Sequence, residues 1–510
     1  MKKVLFVLFT CCFIVTALVS CGPAEDNPGN NSQNSQNDRS GGSVLSEENN
    51  GGEEENTRSA FEEKLPPPEL PEINLNGEDF VIASNDYSIP IWVQRDIGAE
   101  EQTGDNINDA VYLRNSRVEE KFNCVIVDNQ VDGVSELIRR LVRAGDNSLD
   151  AATIRLRNMG DLITGNNLVE FGNLVHIDLD KPWWDINSAN DLSVANKIFA
   201  VASDITLMDK DSTSAMVFNK KLQADYGIES LYSLVKEGGW TLDKLTELSK
   251  IASVDVDGNG IMDDNDAYGL LYQRDTFSSF LSGSGEFVAK KDNNDLPVMT
   301  LNTPKALEVL DKLYDFLYDE QYCFHVMKFW EPKNIDWTDG MTGIFQDNRA
   351  VFMWIRMADV ENLRNMDADF GILPIPKYDV GQLNYLQTVN PYVGVATAVP
   401  QSAKSAENSS AILEYMAYES RYILQSAYYE IVLETKIARD EESAEMLDII
   451  FNNRVYDIGD VYDFGGIGYD LIFMTMTFNR NIVSTYERRE SSALRAIDRL
   501  VERVLEIETE

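Results

Sequence analysis

Histidine and cysteine are scarce in this sequence. The 510 residues include two histidines, His176 and His325, and five cysteines. Histidine-rich metal sites and Ser-His-Asp triads therefore lack members, and no Gly-x-Ser-x-Gly, Gly-x-x-x-x-Gly-Lys or His-Glu-x-x-His segment occurs. These absences argue against a hydrolase or a nucleotide-binding protein of the common kinds. Paired carboxylates of the kind that glycosidases use stay open in so acidic a chain.

Basic side chains are also in short supply. Lysine and arginine number 44 against 85 aspartate and glutamate residues, which gives a formal net charge of −41. A field of that sign repels nucleic acid and anionic lipid headgroups, so both are poor partners for the folded part.

The first residues predict export. A basic start, Lys2-Lys3, precedes an apolar run over 4–19, shorter than the roughly 20 residues of a membrane span. The run ends in Leu18-Val19-Ser20-Cys21, which resembles the lipobox of bacterial lipoproteins. We predict that 1–20 is a lipoprotein signal peptide and that Cys21 carries at least two acyl chains such as palmitate, which anchor the protein at the extracytoplasmic face of the cell membrane. An unlipidated signal peptide with an incidental cysteine is the alternative.

The segment after the signal predicts a tether. Residues 21–72 are dominated by Asn, Ser, Gly, Gln and Glu and cannot bury enough apolar surface to fold, so we predict a lipidated, disordered acidic tether. The proline run Pro66–Pro68 makes its last part stiffer.

In the folded part, Cys124 and Cys323 lie in apolar and aromatic stretches typical of buried cysteines, and a disulfide between them stays open.

Short apolar strands alternate with amphipathic helices in the first part of the folded region. A strand is predicted at 79–84, followed by a helix capped by Asn108, the strand CVIVDN, the helix GVSELIRRLVRAGD and the strand LDAATIR. This alternation predicts parallel strands joined by right-handed crossovers, a doubly wound α/β sheet whose ligands bind at the carboxyl ends of the strands. Residues 73–510 are too many for one core, so two lobes are expected.

The second part of the folded region also contains predicted strands and capped helices. SAMVFNKKL predicts a strand and the start of a helix. Thr241 is expected to cap the helix LDKLTELSKIA, and Thr303-Pro304 to begin the amphipathic helix KALEVLDKLYDFLYDE. NPYVGVATAVP predicts a strand beside a hinge, and SSALRAIDRLVERVLEIETE predicts a helical end.

These segments, in this order, resemble the extracellular solute-binding proteins of carbohydrate ABC transporters, the group that includes maltose-binding protein. The resemblance covers nearly all of residues 73–510 and is carried by the lipobox, SDITLMDKDSTSAMVFNKKL, EGGWTLDKLTELSK, DFGILPIPKYD, NPYVGVATAVP and the helical tail. It implies an α/β fold of the type II periplasmic-binding-protein kind, with two lobes that close on a sugar about a hinge. Lobe one would be 73–208 plus 390–436 and lobe two 209–389 plus 437–510, with crossings near Asp204 to Asp209, near Asn390 and near Lys436.

A twelve-residue acidic segment, 255–266, fits a calcium-binding loop. Ca²⁺ takes about six to eight oxygen ligands, and a glycine at Gly260 permits the sharp turn between them. The expected ligands are Asp255, Asp257, Asn259, the carbonyl of Ile261, Asp263 and Asp266. We predict a structural Ca²⁺ of modest affinity, since aspartate stands where glutamate is usual. AYGLLYQ, which follows, predicts a strand, so the segment is not a full EF-hand; an acidic loop that binds nothing is the alternative.

Sugars present apolar faces ringed by hydroxyl groups, so their sites combine aromatic rings with carboxylates, amides and arginines. The candidate ligand-binding residues of that character are Asp86, Trp92, Trp183, Trp184, Asp185, Asp204, Trp354, Arg356 and Tyr392. Each also fits an ordinary role: tryptophan is often a core residue, an acid often belongs to a turn, and an arginine often forms a structural ion pair.

We therefore expect a monomeric binding protein without enzymatic activity. It would capture a carbohydrate, an oligosaccharide for preference, and deliver it to the permease subunits of an ABC transporter by hinge closure. The alternatives are a calcium-stabilised surface glycan-binding protein or glycosidase, an adhesin or sensor of the same fold, and a solute other than a sugar.

Overall fold

The structure, a computed structural model, describes residues 64–86, 93–327, 337–434 and 441–507. The strands are β1 (Glu78–Asn85), β2 (Cys124–Val131), β3 (Ala151–Arg155), β4 (Ser214–Asn219), β5 (Tyr268–Tyr272), β6 (Ala289–Lys291), β7 (Pro297–Met299), β8 (Cys323–His325), β9 (Ala350–Arg356), β10 (Phe370–Leu373), β11 (Gln387–Thr388), β12 (Val395–Ala398) and β13 (Arg454–Val455). The helices are α1 (Asn106–Phe122), α2 (Val134–Ala144), α3 (Met159–Thr164), α4 (Ile186–Leu192), α5 (Met208–Asp211), α6 (Lys220–Asp225), α7 (Leu231–Lys236), α8 (Leu242–Ile251), α9 (Thr276–Gly283), α10 (Pro304–Leu317), α11 (Trp337–Gln346), α12 (Ala406–Tyr422), α13 (Leu424–Glu434), α14 (Glu441–Asn452), α15 (Ile458–Val461), α16 (Ile467–Met476) and α17 (Ile482–Glu506).

The first lobe is built on a four-stranded sheet in the order β12-β3-β1-β2. β1 is parallel to β2, with Glu78 opposite Cys124, and it is also parallel to β3. The carboxyl ends of these three strands therefore share one edge of the sheet. The parallel sheet predicted from the alternating segments is confirmed.

The second lobe is built on a five-stranded sheet in the order β10-β4-β9-β5-β8. β5 is parallel to both β8 and β9. All seven residues of β9, AVFMWIR, are buried, as a central strand covered on both faces requires.

Each sheet also contains one antiparallel strand. β12 runs against β3, with Val395 opposite Arg155, although the chain reaches β12 from the second sheet. β4 runs against both β9 and β10 and follows the first sheet in the chain. The chain thus crosses from the first sheet to the second before β4 and returns to the first sheet at β12. The lobe boundaries and crossing positions expected from the sequence stay predictions, and Lys436 lies outside the described residues.

Several helices begin at a residue whose side chain caps them. Thr241 caps α8 by accepting from Lys244 N, and Thr303 caps α10 with proline in the first turn, as predicted. The prediction for α1 was wrong. Its cap is Asp105, whose side chain accepts from the backbone N–H of Asn108, and the helix begins before that residue.

The hydrophobic interior has two main parts. One cluster continues through both sheets, and the other fills the space between the first sheet and α12.

Cys124 on β2 and Cys323 on β8 are buried in different sheets and form no disulfide. Among the described residues, no helix combines the length and the apolar character that spanning a membrane requires.

Candidate ligand-binding site

The carboxyl ends of the parallel strands lie against the segments that connect the lobes. Directly after β3, the backbone of Arg157 donates to the carbonyl of Pro391 at 3.0 Å. Directly after β9, Met357 donates to the carbonyl of Thr213 at 3.0 Å. The edges where ligands of such sheets bind therefore come together at the crossings.

A cavity of about 180 Å³, here called the Asp211 cavity, opens at this junction. Arg95 and Asp96 line it from the first lobe, and Met357 and Glu361 from the second. Asp211 lines it from the short helix α5, which lies in the chain just before β4, the first strand of the second sheet. A ligand held here would contact both lobes at once.

Two acidic side chains give the Asp211 cavity its chemistry. Asp96 is buried and fixed, because its carboxylate accepts from Leu207 N at 2.6 Å, Thr206 Oγ1 at 2.7 Å and Gln94 Nε2 at 2.9 Å. Burial raises the pKa of Asp211 to about 7, although the hydroxyl of Tyr428 acts in the opposite direction. Asp211 therefore changes charge near neutral pH.

A second polar group lies close to the other crossing. The guanidinium of Arg157 lies 4.3 Å from the ring centroid of Tyr392 and forms ion pairs with Asp460 at 3.4 Å and Asp463 at 2.9 Å. Burial, with the nearby charge of Asp457 adding to it, raises the pKa of Asp460 to about 7. The space beside this group measures about 10 Å³, enough for a single water molecule.

Tyr392 is the predicted site residue in that group. It is half-buried, and its backbone N–H donates to Asn390 Oδ1 at 2.9 Å. Asn390 in turn donates through Nδ2 to Asp275, directly after β5, at 3.2 Å. Tyr392 therefore lies where strand ends of both lobes meet.

The predicted tryptophan pair is buried. Trp183 and Trp184 are 1% and 3% exposed, and both indole N–H groups donate to Glu414, at 3.0 and 2.7 Å. Burial raises the pKa of Glu414 to about 7, against the lowering effect of these hydrogen bonds. In this conformation the two rings contact protein on α12 and in the loop before α4.

Asp185 and Asp204 belong to a buried ionic network. Arg454 donates to Asp185 from Nε at 2.9 Å and Nη2 at 2.6 Å. Asp204 pairs with Lys210 at 3.1 Å and with Arg421 at 3.0 Å. Burial alone would raise the pKa of Asp185, but the charge and hydrogen bonds of Arg454 outweigh it, and the pKa is lowered.

The structure brings three of the predicted residues together at a second cavity, of about 270 Å³, here called the Asp185 cavity. Trp184, Asp185 and Asp204 line it. Asp209 and Lys210 of α5 also line it, whereas Asp211 lines the Asp211 cavity. The short helix α5 therefore separates the two cavities.

The remaining predicted residues are apart from these groups. Trp354 is fully buried on β9 opposite Met216, and the Nε of Arg356 donates to Asp359 at 2.8 Å. Asp86 is exposed just after β1, and Trp92 lies outside the described residues.

Several residues of the site were not predicted, Arg95 and Glu361 among them. Arg157 and Asp275 each follow a recognisable strand closely, so the rule that ligands bind at strand ends would have found them. Asp96 and Asp211 had no such signal, because only the folded chain brings the segment after β1 to the first crossing.

The acidic loop 255–266 has part of the predicted calcium geometry. The carboxylates of Asp255, Asp257 and Asp266 each offer an oxygen within 4.8 Å of the others. Asp255 also accepts from Gly260 N at 2.8 Å, where the chain turns with φ +80°. Asp266 is buried and accepts from Val256 N and Asp263 N, both at 2.8 Å.

The other three predicted ligands of the loop are less clearly placed. The side chain of Asn259 accepts from Ile261 N at 2.7 Å, and that of Asp263 accepts from Asn265 N at 2.8 Å. The hydrogen bond to Asp255 from Gly260, with that from Gly258 adding to it, lowers its pKa against the opposing effect of desolvation. After the loop the chain enters β5, in agreement with the predicted strand.

No family model matches this chain, and no curated protein matches it. Solved structures do. The galacto-N-biose-/lacto-N-biose I-binding protein of an ABC transporter from Bifidobacterium longum, in complex with lacto-N-biose, matches with a TM-score of 0.55 at 10% identity, over 84% of this chain and 98% of that one. A cyclo/maltodextrin-binding protein complexed with maltotetraose matches with a TM-score of 0.52 at 13% identity, over 84% and 97%.

An ABC substrate-binding protein from Listeria monocytogenes, in complex with cycloalternan, matches with a TM-score of 0.50 at 10% identity, over 85% of this chain and 100% of that one. All three are binding proteins. At these identities the likeness concerns the fold, and it agrees with the two sheets between which the chain crosses and returns. The chain has the two-lobe α/β fold of the type II periplasmic binding proteins.

Proposed function

We propose that this protein is the substrate-binding component of an ABC transporter, and that it captures a carbohydrate outside the cell and delivers it to a membrane permease. The fold supports the proposal, because three solved proteins that share it are complexes with lacto-N-biose, maltotetraose and cycloalternan. An oligosaccharide is the ligand we propose.

The Asp211 cavity is the observation that carries the proposal. Its walls come from the first lobe, from the crossing helix α5 and from the second lobe. A ligand that contacts both lobes only when they are close together shifts the population toward the closed form. Capture and closure are then one equilibrium, and the permease recognises the closed form.

The groups at the junction suit a polyhydroxylated ligand. Asp211 and Glu361 offer carboxylate oxygens to sugar hydroxyl groups, Arg95 offers N–H donors, and Tyr392 offers an aromatic ring near the same junction. Of the residues predicted from the sequence, Tyr392 and Asp86 are the ones we propose as ligand contacts. Each is at least partly exposed near the end of a strand or at a crossing.

Two further proposals concern stability and location. We propose that the loop 255–266 holds a structural Ca²⁺, supported by its three converging carboxylates. We also propose that Cys21 anchors the protein to the membrane through lipid. That proposal is supported by the Leu18-Val19-Ser20-Cys21 segment, which lies outside the described residues.

The test is calorimetry together with intrinsic tryptophan fluorescence on the chain lacking residues 1–21. The panel contains lacto-N-biose, maltotetraose, cycloalternan and a peptide of similar size. Saturable binding of an oligosaccharide without release of shorter products is the expected result. Hydrolysis of the oligosaccharide would establish the glycosidase alternative, and binding of the peptide alone would overturn the carbohydrate class.

A further inference from the structure

A loop of the second lobe presents two apolar side chains to solvent. In the loop 379–384, between β10 and β11, Val380 is 76% exposed and Leu383 is 91% exposed. Single exposed apolar residues are common on protein surfaces. Two of them on one short loop, both almost without protein contact, are less common.

The loop is held in place by its own polar groups. Asp379 Oδ1 accepts from Gly381 N at 2.8 Å and from Gln382 N at 3.2 Å. Gln382 Nε2 donates to the carbonyls of Gly283 and Asn384, both at 2.8 Å, and Gln382 Oε1 accepts from Tyr378 N at 3.1 Å. The two apolar side chains therefore project from an ordered backbone, and a partner that binds them would pay little conformational entropy.

The loop follows closely on an edge of the second sheet. β10 is antiparallel to β4, and β4 is antiparallel to β9, so β10 and β9 run in the same direction. β10 therefore ends, at Leu373, on the edge where β9 ends and Met357 lines the Asp211 cavity, and residues 374–378 lead from that edge to the loop. Nearby, Lys377 accepts through its carbonyl from Leu242 N, at the start of α8, at 2.8 Å.

We infer that Val380 and Leu383 dock into an apolar pocket on the extracytoplasmic side of the membrane permease. The inference rests on the proposed function. A captured sugar leaves only through the cleft, so the partner that receives it must contact the rim. Hinge closure also changes the distance of this loop from the first lobe, which lets a permease distinguish closed from open protein.

Two other partners, a second copy of this chain and a lipid bilayer, fit the loop less well. A stable dimer needs about 800 Å² from each partner, far more than two side chains offer, whereas a transient delivery contact needs less. A net charge of −41 repels the protein from an anionic bilayer surface, which disfavours insertion of the loop into lipid.

The test replaces both side chains in the full-length chain, as Val380→Ser/Leu383→Ser, in cells of the source organism that carry no other copy. The matched control is Val175→Ser, because Val175 is 67% exposed in the first lobe. The probe is radiolabelled maltotetraose or lacto-N-biose, whichever the purified protein binds. We expect the double variant to keep wild-type sugar affinity and melting temperature while uptake falls at least tenfold, and the control to transport normally.

Three results would overturn the docking inference while sugar binding stays intact. The first is normal uptake by the double variant. The second is binding of the wild-type protein, but not of the double variant, to phosphatidylglycerol–phosphatidylethanolamine vesicles, and the third is self-association of the wild-type protein, but not of the double variant, in sedimentation. Failure of the wild-type protein to bind any sugar would instead overturn the proposed function, and the docking inference with it.

Discussion

The indole N–H of Trp184 donates to Glu414 at 2.7 Å, and both residues are buried. The neighbouring Trp183 donates to the other oxygen of the same carboxylate at 3.0 Å. One side chain of α12 thus fixes two adjacent tryptophans of a loop more than two hundred residues earlier in the chain.

Glu414 is expected to make the stability of the first lobe depend on pH. Burial raises its pKa from 4.5 to about 7, so the folded chain takes up a proton in this range that the unfolded chain does not. The free energy of unfolding should fall as pH rises from about 4.5 to about 7, by about 3 kcal/mol, and level off above. Urea unfolding of wild type and Glu414→Gln across pH 4–8 measures it.

The difference between the two proteins isolates Glu414, because all other titrating groups are common to both. Glu414→Gln should lose stability relative to wild type at low pH and recover most of it at pH 8. A difference that stays constant with pH would show that folding does not raise the pKa of Glu414.

Arg454 is expected to stabilise the crossing between the lobes. Arg454→Met leaves Asp185 buried without its cation, which costs about 3–5 kcal/mol in comparable buried pairs. Because the pKa of Asp185 is lowered, this contribution is present above the usual aspartate pKa and is lost as pH falls. Denaturant unfolding at pH 7 and at pH 3 measures both effects.

Two variants control that experiment. Asp185→Asn/Arg454→Met removes both charges and should be more stable than Arg454→Met alone. Arg480→Met removes a surface ion pair with Asp315 and should cost less than about 1 kcal/mol. Equal losses in Arg454→Met and Arg480→Met would contradict the importance of the buried network.

Calcium is expected to stabilise the second lobe through the loop 255–266. A ligand at about 100 times its Kd adds about 2.7 kcal/mol to the folded state, so millimolar Ca²⁺ should raise the melting temperature by several degrees and chelator should reverse it. Asp257→Ala, which removes one of the three converging carboxylates, should abolish the shift. Asp315→Ala, on the exposed face of α10, should keep it. Identical melting curves with Ca²⁺ and with chelator would refute the site.

Asp211 is expected to make sugar affinity depend on pH. Its pKa is about 7, and the ionised carboxylate is a stronger hydrogen-bond acceptor for sugar hydroxyl groups than the acid. Affinity should therefore rise by about tenfold between pH 6 and pH 8, as a charge-assisted hydrogen bond predicts. Calorimetry with the bound oligosaccharide should show no such rise in Asp211→Asn. An unchanged pH profile in that variant would remove Asp211 from the site.

The order of strands and helices could be predicted because it depends on local patterns. Apolar runs such as CVIVDN and caps such as Thr241 and Thr303 act within a few residues, and the structure agrees with them. The start of α1 was missed because Asp105 and Asn108 are both good capping residues, and the hydrogen bond between them is what distinguishes them.

The candidate site was harder to predict because it depends on which groups the fold brings together. Trp183, Trp184 and Trp354 have the residue type of a sugar platform, yet their burial is decided by α12 and by β4. The sequence suggests Asp204 and Asp185 as acceptors for sugar hydroxyl groups. In the structure they pair instead with arginines from distant parts of the chain, Asp204 with Arg421 and Asp185 with Arg454. Nothing near these residues in the sequence indicates those partners.

The late return of the chain to the first sheet, at β12, also bears on how the chain is made. The first sheet lacks the strand beside β3 until the chain has passed through the whole second sheet, because β12 follows β10. A partly synthesised chain therefore exposes an unpaired edge of β3, which is an aggregation hazard. Pairings between such distant segments form slowly, which would keep the chain unfolded for longer and so suit the proposed export.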